Sequence, residues 1–506
     1  MKLAYFVSFV LLFPYIITSQ VPVYTCGNSA YLEPLPTKRL EENKLVSISP
    51  RTNVVYVPVK LHLVAKTDGT GRLSDKEAFR SLCLLNDDFI GANIQFYLKD
   101  GTFNYINNTT IYNNPTLPAS IFLMQNEKDA KAINIIVSEV ARPSDTDDNS
   151  IIAGFYSPGN DWVVMRKDAM NKWAFPHELG HYFSLMHTHL GWDSEPYDSE
   201  IHGIPAPAIS PDGLPTEKVD RSNCETAGDR ICDTPADYNG ITTFSCTYEG
   251  GALDPDSVLI DPDEHNYMSY FSFCDRGAYT FSEEQIAIVQ KDLASSSRTK
   301  LSPGSTPAFA ELSKDGVQLI QPINSSSVPL SESVKLEWEP VDGAEYYTVE
   351  IDRIPTYVLN PITITASEPF VEIGPNLLRT NTSYYWRVTP YNRYFFCEGS
   401  SPSGSFKTLN STSSRTLEML TSFKVFPLPV GSQQSISVQI QSIERFKGLL
   451  YLTDLQGKKI GTSQVREFYP GDNEETFSFP NLVSGMYLLV LETPQGRTYA
   501  KVPVID

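Results

Sequence analysis

The sequence predicts an α+β domain built from a twisted sheet and a histidine-bearing helix, with an irregular C-terminal part, followed by two all-β sandwich domains. Three observations predict it. Helical and buried-strand patterns intermix over residues 54–293; residues 190–265 are dominated by Gly, Pro, Asp and Ser; and from Val317 onward short alternating runs recur between turn residues. The chain has 506 residues, enough for about three domains at ~150 residues each.

Lys2 precedes an almost wholly apolar run from Leu3 to Ile17, then Thr18 and Ser19. This reads as a signal peptide over 1–19, and nothing else approaches the ~18 apolar residues of a membrane span. Residues 20–50 are polar and contain proline, and read as a propeptide. Val54 to Val64 reads as a strand, and Ser74 to Phe89 as a helix whose N-cap Ser74 is followed by Glu77. Ala132 to Val140 and Trp162 to Met165 read as strands, Asn171 to Ser184 as a helix, and Thr280 to Leu293 as a helix capped by Ser282. The long irregular stretch at 190–265 is of the kind that carries function inside a domain.

The first domain is placed at 51–298 and a linker at 299–316. A sandwich follows at 317–408, built from runs such as VKLEWEPV, YYTVEI and YYWRVTPY. A second linker spans 409–422, and a smaller sandwich 423–506, with turns at Asp454–Gly457, Ser484–Gly485 and Pro494–Gly496. Net charge is −20, so the surface repels phosphate backbones and nucleic acid is not an expected partner.

The chemistry concentrates in His177-Glu178-Leu179-Gly180-His181-Tyr182-Phe183-Ser184-Leu185-Met186-His187. Residues four apart share a helix face, so His177 and His181 present imidazoles from successive turns. Glu178 sits beside them, placed to act as general base rather than as a ligand. His187 completes a three-histidine site only if the helix stops and the chain turns back; His189 is the alternative third ligand. Three neutral imidazoles suit zinc and leave a fourth position open, as in catalytic rather than structural sites. A histidine pair alone also arises by chance on a solvent-facing helix; the third histidine separates this sequence from that case.

With Asn266-Tyr267-Met268-Ser269-Tyr270 downstream, the motif resembles the metzincin clan. Gly228-Asp229-Arg230-Ile231-Cys232-Asp233-Thr234-Pro235-Ala236-Asp237 narrows the resemblance to the pappalysin-like (cytophagalysin) metallopeptidases over roughly 54–293. It implies a zinc endopeptidase of proteins or peptides, a Met-turn that puts Met268 beneath the metal, and Tyr270 near the oxyanion. It also implies a Cys246–Cys274 disulfide and a calcium ion near Asp229, Asp233, Thr234 and Asp237, although helix capping and turn chemistry account for those acids equally. Metzincins usually carry Gly where this chain has Ser184, because the backbone bends sharply there.

Seven cysteines are present, an odd number that leaves at least one thiol over. Cys224 and Cys232 read as a second pair, with other pairings open. Cys83 and Cys397 read as buried structural thiols. Cys26 follows the signal peptide; latent metallopeptidases of related type fill the open zinc position with a propeptide thiolate, which makes Cys26 a cysteine-switch candidate and the protein a zymogen. Release would require a cut near Pro50–Arg51. The Phe271-Ser272-Phe273 segment carries no acid, so an apolar preference is expected rather than a basic one.

Leu336-Glu337-Trp338 and Tyr384-Tyr385-Trp386-Arg387-Val388 resemble a fibronectin type III domain, with Trp338 and Trp386 in its core. Val425-Phe426-Pro427-Leu428-Pro429-Val430, Leu452 to Lys458 and Leu482 to Leu488 resemble the C-terminal sorting domain of type IX secretion. That implies contact with the export machinery and passage across the outer membrane of a Gram-negative bacterium, to a secreted or surface-attached state. A surface adhesin with an inactive protease domain is the alternative, disfavoured because all three histidines and Glu178 are intact.

Overall fold

The computed structural model describes residues 24–27, 34–45, 53–144, 151–239, 246–271, 273–301, 311–313, 316–330, 333–397, 399–409, 419–431, 435–479, 482–493 and 496–505. The expected signal peptide, the Pro50–Arg51 cut, Ser272 and most of both linkers lie outside the described residues.

The N-terminal elements are β1 (Tyr24–Cys26), α1 (Pro34–Lys44), β2 (Val55–Ala65), α2 (Asp75–Asp88), β3 (Ile94–Leu98), β4 (Asn104–Asn107), α3 (Thr109–Asn113), α4 (Leu117–Glu127), β5 (Ile133–Ser138), β6 (Ile151–Ser157), β7 (Trp162–Arg166), α5 (Ala174–Tyr182), α6 (Ser199–His202) and α7 (Glu283–Ala294). Seven strands form one sheet in the order β1-β6-β7-β5-β2-β3, with β4 pairing further along β2. All neighbours run parallel except β6 against β7. Every residue of β5 is buried, as expected of a strand covered on both faces. The Ser74 side chain caps α2 by accepting from the Glu77 amide, and Ser282 with Gln285 forms a full capping box on α7. One face of the sheet packs with α2, α5 and α7 in a core that includes Leu61, Phe79, Phe96, Val163, Leu179 and Val289.

The second unit contains β8 (Leu319–Gln321), β9 (Ser326–Pro329), β10 (Val334–Trp338), β11 (Tyr346–Asp352), β12 (Ile362–Ala366), β13 (Phe370–Ile373), β14 (Ser383–Tyr391) and β15 (Gly404–Leu409). Two sheets, β13-β10-β8 and β12-β11-β14-β15-β9, enclose Trp338 and Trp386. The third contains β16 (Leu420–Phe426), β17 (Val430–Gly431), β18 (Ser435–Ser442), β19 (Phe446–Thr453), β20 (Lys459–Phe468), β21 (Gly471–Ser478), β22 (Gly485–Thr493) and β23 (Gly496–Ile505). Its sheets are β16-β18-β21 and β17-β23-β22-β19-β20. Strict in/out alternation along β18 puts Ile436, Val438 and Ile440 into the space between them. The α+β domain followed by two sandwiches is therefore the observed architecture, and among the described residues no helix is long and apolar enough to cross a membrane.

The expectation for Cys83 and Cys397 is corrected here. They are bonded to one another across 314 residues, joining α2 to the loop after β14. The reason lies in the packing around them: Phe79, one turn earlier on α2, stacks on Tyr391 with centroids 4.3 Å apart, and Tyr391 and Phe396 belong to the N-terminal core. Lys76 pairs with buried Glu350 at 2.6 Å, and the Leu98 amide donates to the Arg393 carbonyl at 2.8 Å. Phe79 and Cys83, successive turns of α2, thus meet the first sandwich while Leu82 and Leu85 pack into the N-terminal core, and this contact brings the two sulfurs together.

Candidate metal centre

Helix α5 begins after a tight turn at Lys167–Ala169 and stops at Phe183, shorter at both ends than its apolar pattern suggests. Ser184 takes φ +72°, the Ser184 amide donates to His181 O and the Leu185 amide to Gly180 O. This is a Schellman closure with a serine in the left-handed position that glycine favours. It reverses the chain and returns His187 to the helix face that carries His177 and His181.

The three Nε2 atoms converge. His181 Nε2 lies 3.1 Å from His177 Nε2 and 3.0 Å from His187 Nε2. Three corners of a tetrahedron around zinc, at ~2.0–2.1 Å from the ion, would be about 3.3 Å apart, so the donor set fits that ion closely. Each ring is held from behind. His177 Nδ1 is 2.6 Å from the Tyr267 carbonyl, His181 Nδ1 is 2.8 Å from the Leu185 carbonyl, and His187 Nδ1 meets Asp193 Oδ1. A carbonyl can only accept, so Nδ1 carries the proton in the first two rings and Nε2 offers its lone pair. Burial, then the neighbouring imidazoles, hold His177 well below the ordinary histidine range; burial acts alike on His187 and brings His181 to about 4. All three are neutral at pH 7, the state a metal requires.

Glu178 is fully buried, and burial pushes its carboxyl up to about 8. Its stem packs on β6, where a Cβ at Gly154 would lie 2.9 Å from Glu178 Cγ. Met268 is fully buried beneath α5. The Thr188 amide donates to its carbonyl, and its own amide donates to Asn266 Oδ1. Tyr270 lies against the site, its ring 4.8 Å from that of His187. Cys26 is buried, and its Sγ and the three histidine nitrogens all lie within 4.8 Å of one another. The thiol hydrogen-bonds to both Glu178 and Tyr270. Strand β1, which carries it, runs parallel to β6 and forms the edge of the sheet, so the N-terminal segment lies beside the histidines.

His189 does not join the three nitrogens. It stacks on His187 at 4.8 Å and sits between Asp193 and Asp237, 3.7 Å from each. Burial would lower its pKa, but the two carboxylates raise it above the ordinary value. Asp193 was not legible as a partner of His187, since it lies in a loop without periodicity; its six-residue spacing from His187 is the only sequence signal.

The four residues singled out near Asp229 do not form one cluster. Asp233 accepts from Ser282 Oγ and the Glu284 amide, capping α7. Asp237 accepts from Thr188 Oγ1 and the Asn239 amide. Asp229 Oδ1 accepts from the Ile231 amide and Thr234 Oγ1, while its Oδ2 and both oxygens of Glu217 are buried without a hydrogen-bond partner among the described residues. Burial followed by repulsion from Asp229 pushes Glu217 up to about 10, and burial pushes Asp229 to about 8. Gly228, at φ +54°, leaves the room that Glu217 fills. Glu217 was missed in the sequence because it stands eleven residues before the recognisable motif. The Cys224–Cys232 and Cys246–Cys274 bonds both form.

The family model described as the secretion system C-terminal sorting domain matches residues 424–505. No curated protein matches the chain. Among solved structures, a promirolysin mutant from Tannerella forsythia is 19% identical, and the match covers 55% of this chain and 97% of that one with a TM-score of 0.36. The FN1–FN3 domains of chicken CNTN1 are 12% identical over 38% of this chain and 66% of that one, at a TM-score of 0.16. The fibronectin(III)-like modules of Clostridium thermocellum CbhA are 10% identical over 37% and 93%, at 0.15. These are partial likenesses, and the chemistry of the site stands on its own geometry. The sorting-domain match covers nearly all of the last sandwich and indicates type IX export, to secretion or to attachment at the cell surface.

Proposed function

We propose that the chain is an exported zinc endopeptidase of the pappalysin-like metzincin type, made as a latent precursor. The observation that carries this reading is the convergence of three Nε2 atoms, with His181 Nε2 3.1 Å from that of His177 and 3.0 Å from that of His187, each ring fixed from its far side. His177, His181 and His187 would hold the ion, which when bound supplies the Lewis acidity that activates water for attack on a peptide carbonyl. Glu178 takes the proton from that water and passes it to the leaving amine; its raised pKa suits a group that both accepts and returns a proton near neutrality. The Tyr270 hydroxyl donates to the oxygen that gains charge as the carbonyl becomes tetrahedral. Met268 supports the ligand helix from below.

The buried position of Cys26 supports its reading as the latency switch: a thiolate there would take the fourth corner and keep water out. The partnerless oxygens of Glu217 and Asp229 support a calcium ion between them, because two buried carboxylates are otherwise kept neutral at considerable cost.

The test of the proposed activity is Glu178→Ala. The substituted chain, freed of its propeptide, should keep its zinc and lose cleavage of casein and gelatin by at least about 100-fold. Cleavage at the unsubstituted rate would remove Glu178 from the mechanism.

A further inference from the structure

Ser184 stands in the position where the backbone conformation favours glycine, and the structure assigns the compensation to a buried carboxylate on a distant helix. Resting on the zinc reading above, we infer that Asp292 is a positioning residue for the metal: through Ser184 it fixes the turn that sets two of the three histidines.

Ser184 is 1% exposed and its Oγ donates to Asp292 Oδ2. Asp292 is fully buried on α7, and its other oxygen accepts from Arg298 Nε at 2.7 Å. Arg298 is itself fully buried; it donates to Asp161 at 2.6 Å and to the Tyr182 carbonyl, and its guanidinium lies 3.9 Å over the Tyr182 ring. The carboxylate therefore cannot swing away, and the helix end it serves is gripped at Tyr182 and at Ser184.

The turn has two outputs. The Leu185 carbonyl, the next residue along, is the acceptor that orients His181 Nδ1. Two residues further on, His187 reaches the same nitrogen cluster. A left-handed serine without a partner for its hydroxyl would open towards conformations that an L-residue prefers, moving both the Leu185 carbonyl and His187. A charge-assisted bond out of reach of water opposes that movement. Asn43 of α1 donates to the same Asp292 oxygen at 3.0 Å. If α1 leaves with the propeptide, Ser184 remains as that oxygen's donor, so the clamp persists in the processed chain.

The experiment measures zinc affinity of the full chain by competition with a chromophoric chelator, with melting of the zinc-free protein followed alongside. Ser184→Ala keeps the side-chain branch that disfavours the turn and removes the hydroxyl; Ser184→Gly removes both. The glycine variant should hold zinc at least about tenfold more tightly than the alanine variant. Asp292→Asn presents an amide where Ser184 needs an acceptor, and should weaken zinc binding by a similar factor in the native background but not in Ser184→Gly. Equal affinities for the alanine and glycine variants, or an equal loss from Asp292→Asn in both backgrounds, would overturn the assignment. A lower melting temperature with unchanged affinity in the folded fraction would overturn it too, as a merely structural role predicts. Absence of zinc binding by the unsubstituted chain would take down the metal reading itself, a distinguishable failure.

Discussion

Gly180 and Met268 are in direct contact: a Cβ added at Gly180 would lie 2.4 Å from Met268 Sδ. The glycine between the first two histidines thus lets the methionine of the downstream turn rise against the ligand helix. Gly180→Ala gains about 1 kcal/mol in helix propensity but overpacks a buried contact, at about 1–3 kcal/mol. We expect a net loss of about 1 kcal/mol in thermal stability and weaker zinc retention. A stabilised variant with unchanged zinc retention would show that Met268 yields freely.

Latency should depend on one sulfur. Cys26→Ala leaves β1 paired with β6 but removes the thiol from the three-histidine cluster. The uncut substituted precursor should cleave a peptide substrate at least about tenfold faster than the uncut native one, since a thiolate is a strong zinc ligand. Equal latency would assign inhibition to the strand alone.

Calcium should stabilise the chain through Glu217. Binding to the folded state alone contributes about 2.7 kcal/mol at a hundredfold excess over the dissociation constant. Melting temperature should therefore rise when calcium replaces EGTA, and Glu217→Gln should abolish the rise. A rise that survives the substitution would move the ion elsewhere.

Acid stability should depend on Asp161. Burial alone would raise this carboxyl, yet Arg298 and Lys300 hold it well below its usual range. A group depressed in the folded state adds stability that is complete above its unfolded pKa, ~3.9, and is lost as pH falls through the folded value. Asp161→Asn should cost about 2 kcal/mol at pH 7, less than a fully orphaned buried charge, because Arg298 keeps Asp292. The gap between native and substituted melting temperatures should hold above pH ~5 and narrow below ~4. A gap that widens in acid would contradict the assignment.

The three converging histidines, the buried Glu178 beside them and the sandwich cores were legible because each has a local signature: spacing on a helix face, or strict alternation along a strand. The partners that hold the site were not. Asp193, Glu217 and Asp292 stand 6, 12 and 108 residues from the residues they serve, His187, Asp229 and Ser184. Strand β3 carries a signature of its own, with buried Ile94, Phe96 and Leu98 alternating with half-buried Gln95 and Tyr97, whereas β4 is only four residues long. Ser184 was recognisable as out of place in its motif, but its compensation was not, because that compensation comes from a carboxylate near the end of the domain. Cys83 illustrates the same limit: its helical face reads as apolar, but which body covers it is a tertiary fact.

The most direct measurement is the zinc content of the exported chain, purified without chelators and compared with His187→Ala. The three converging nitrogens predict about one zinc per native chain and a small fraction of that in the variant. A native chain that carries no zinc, or a His187→Ala chain that keeps a full equivalent, would contradict the account.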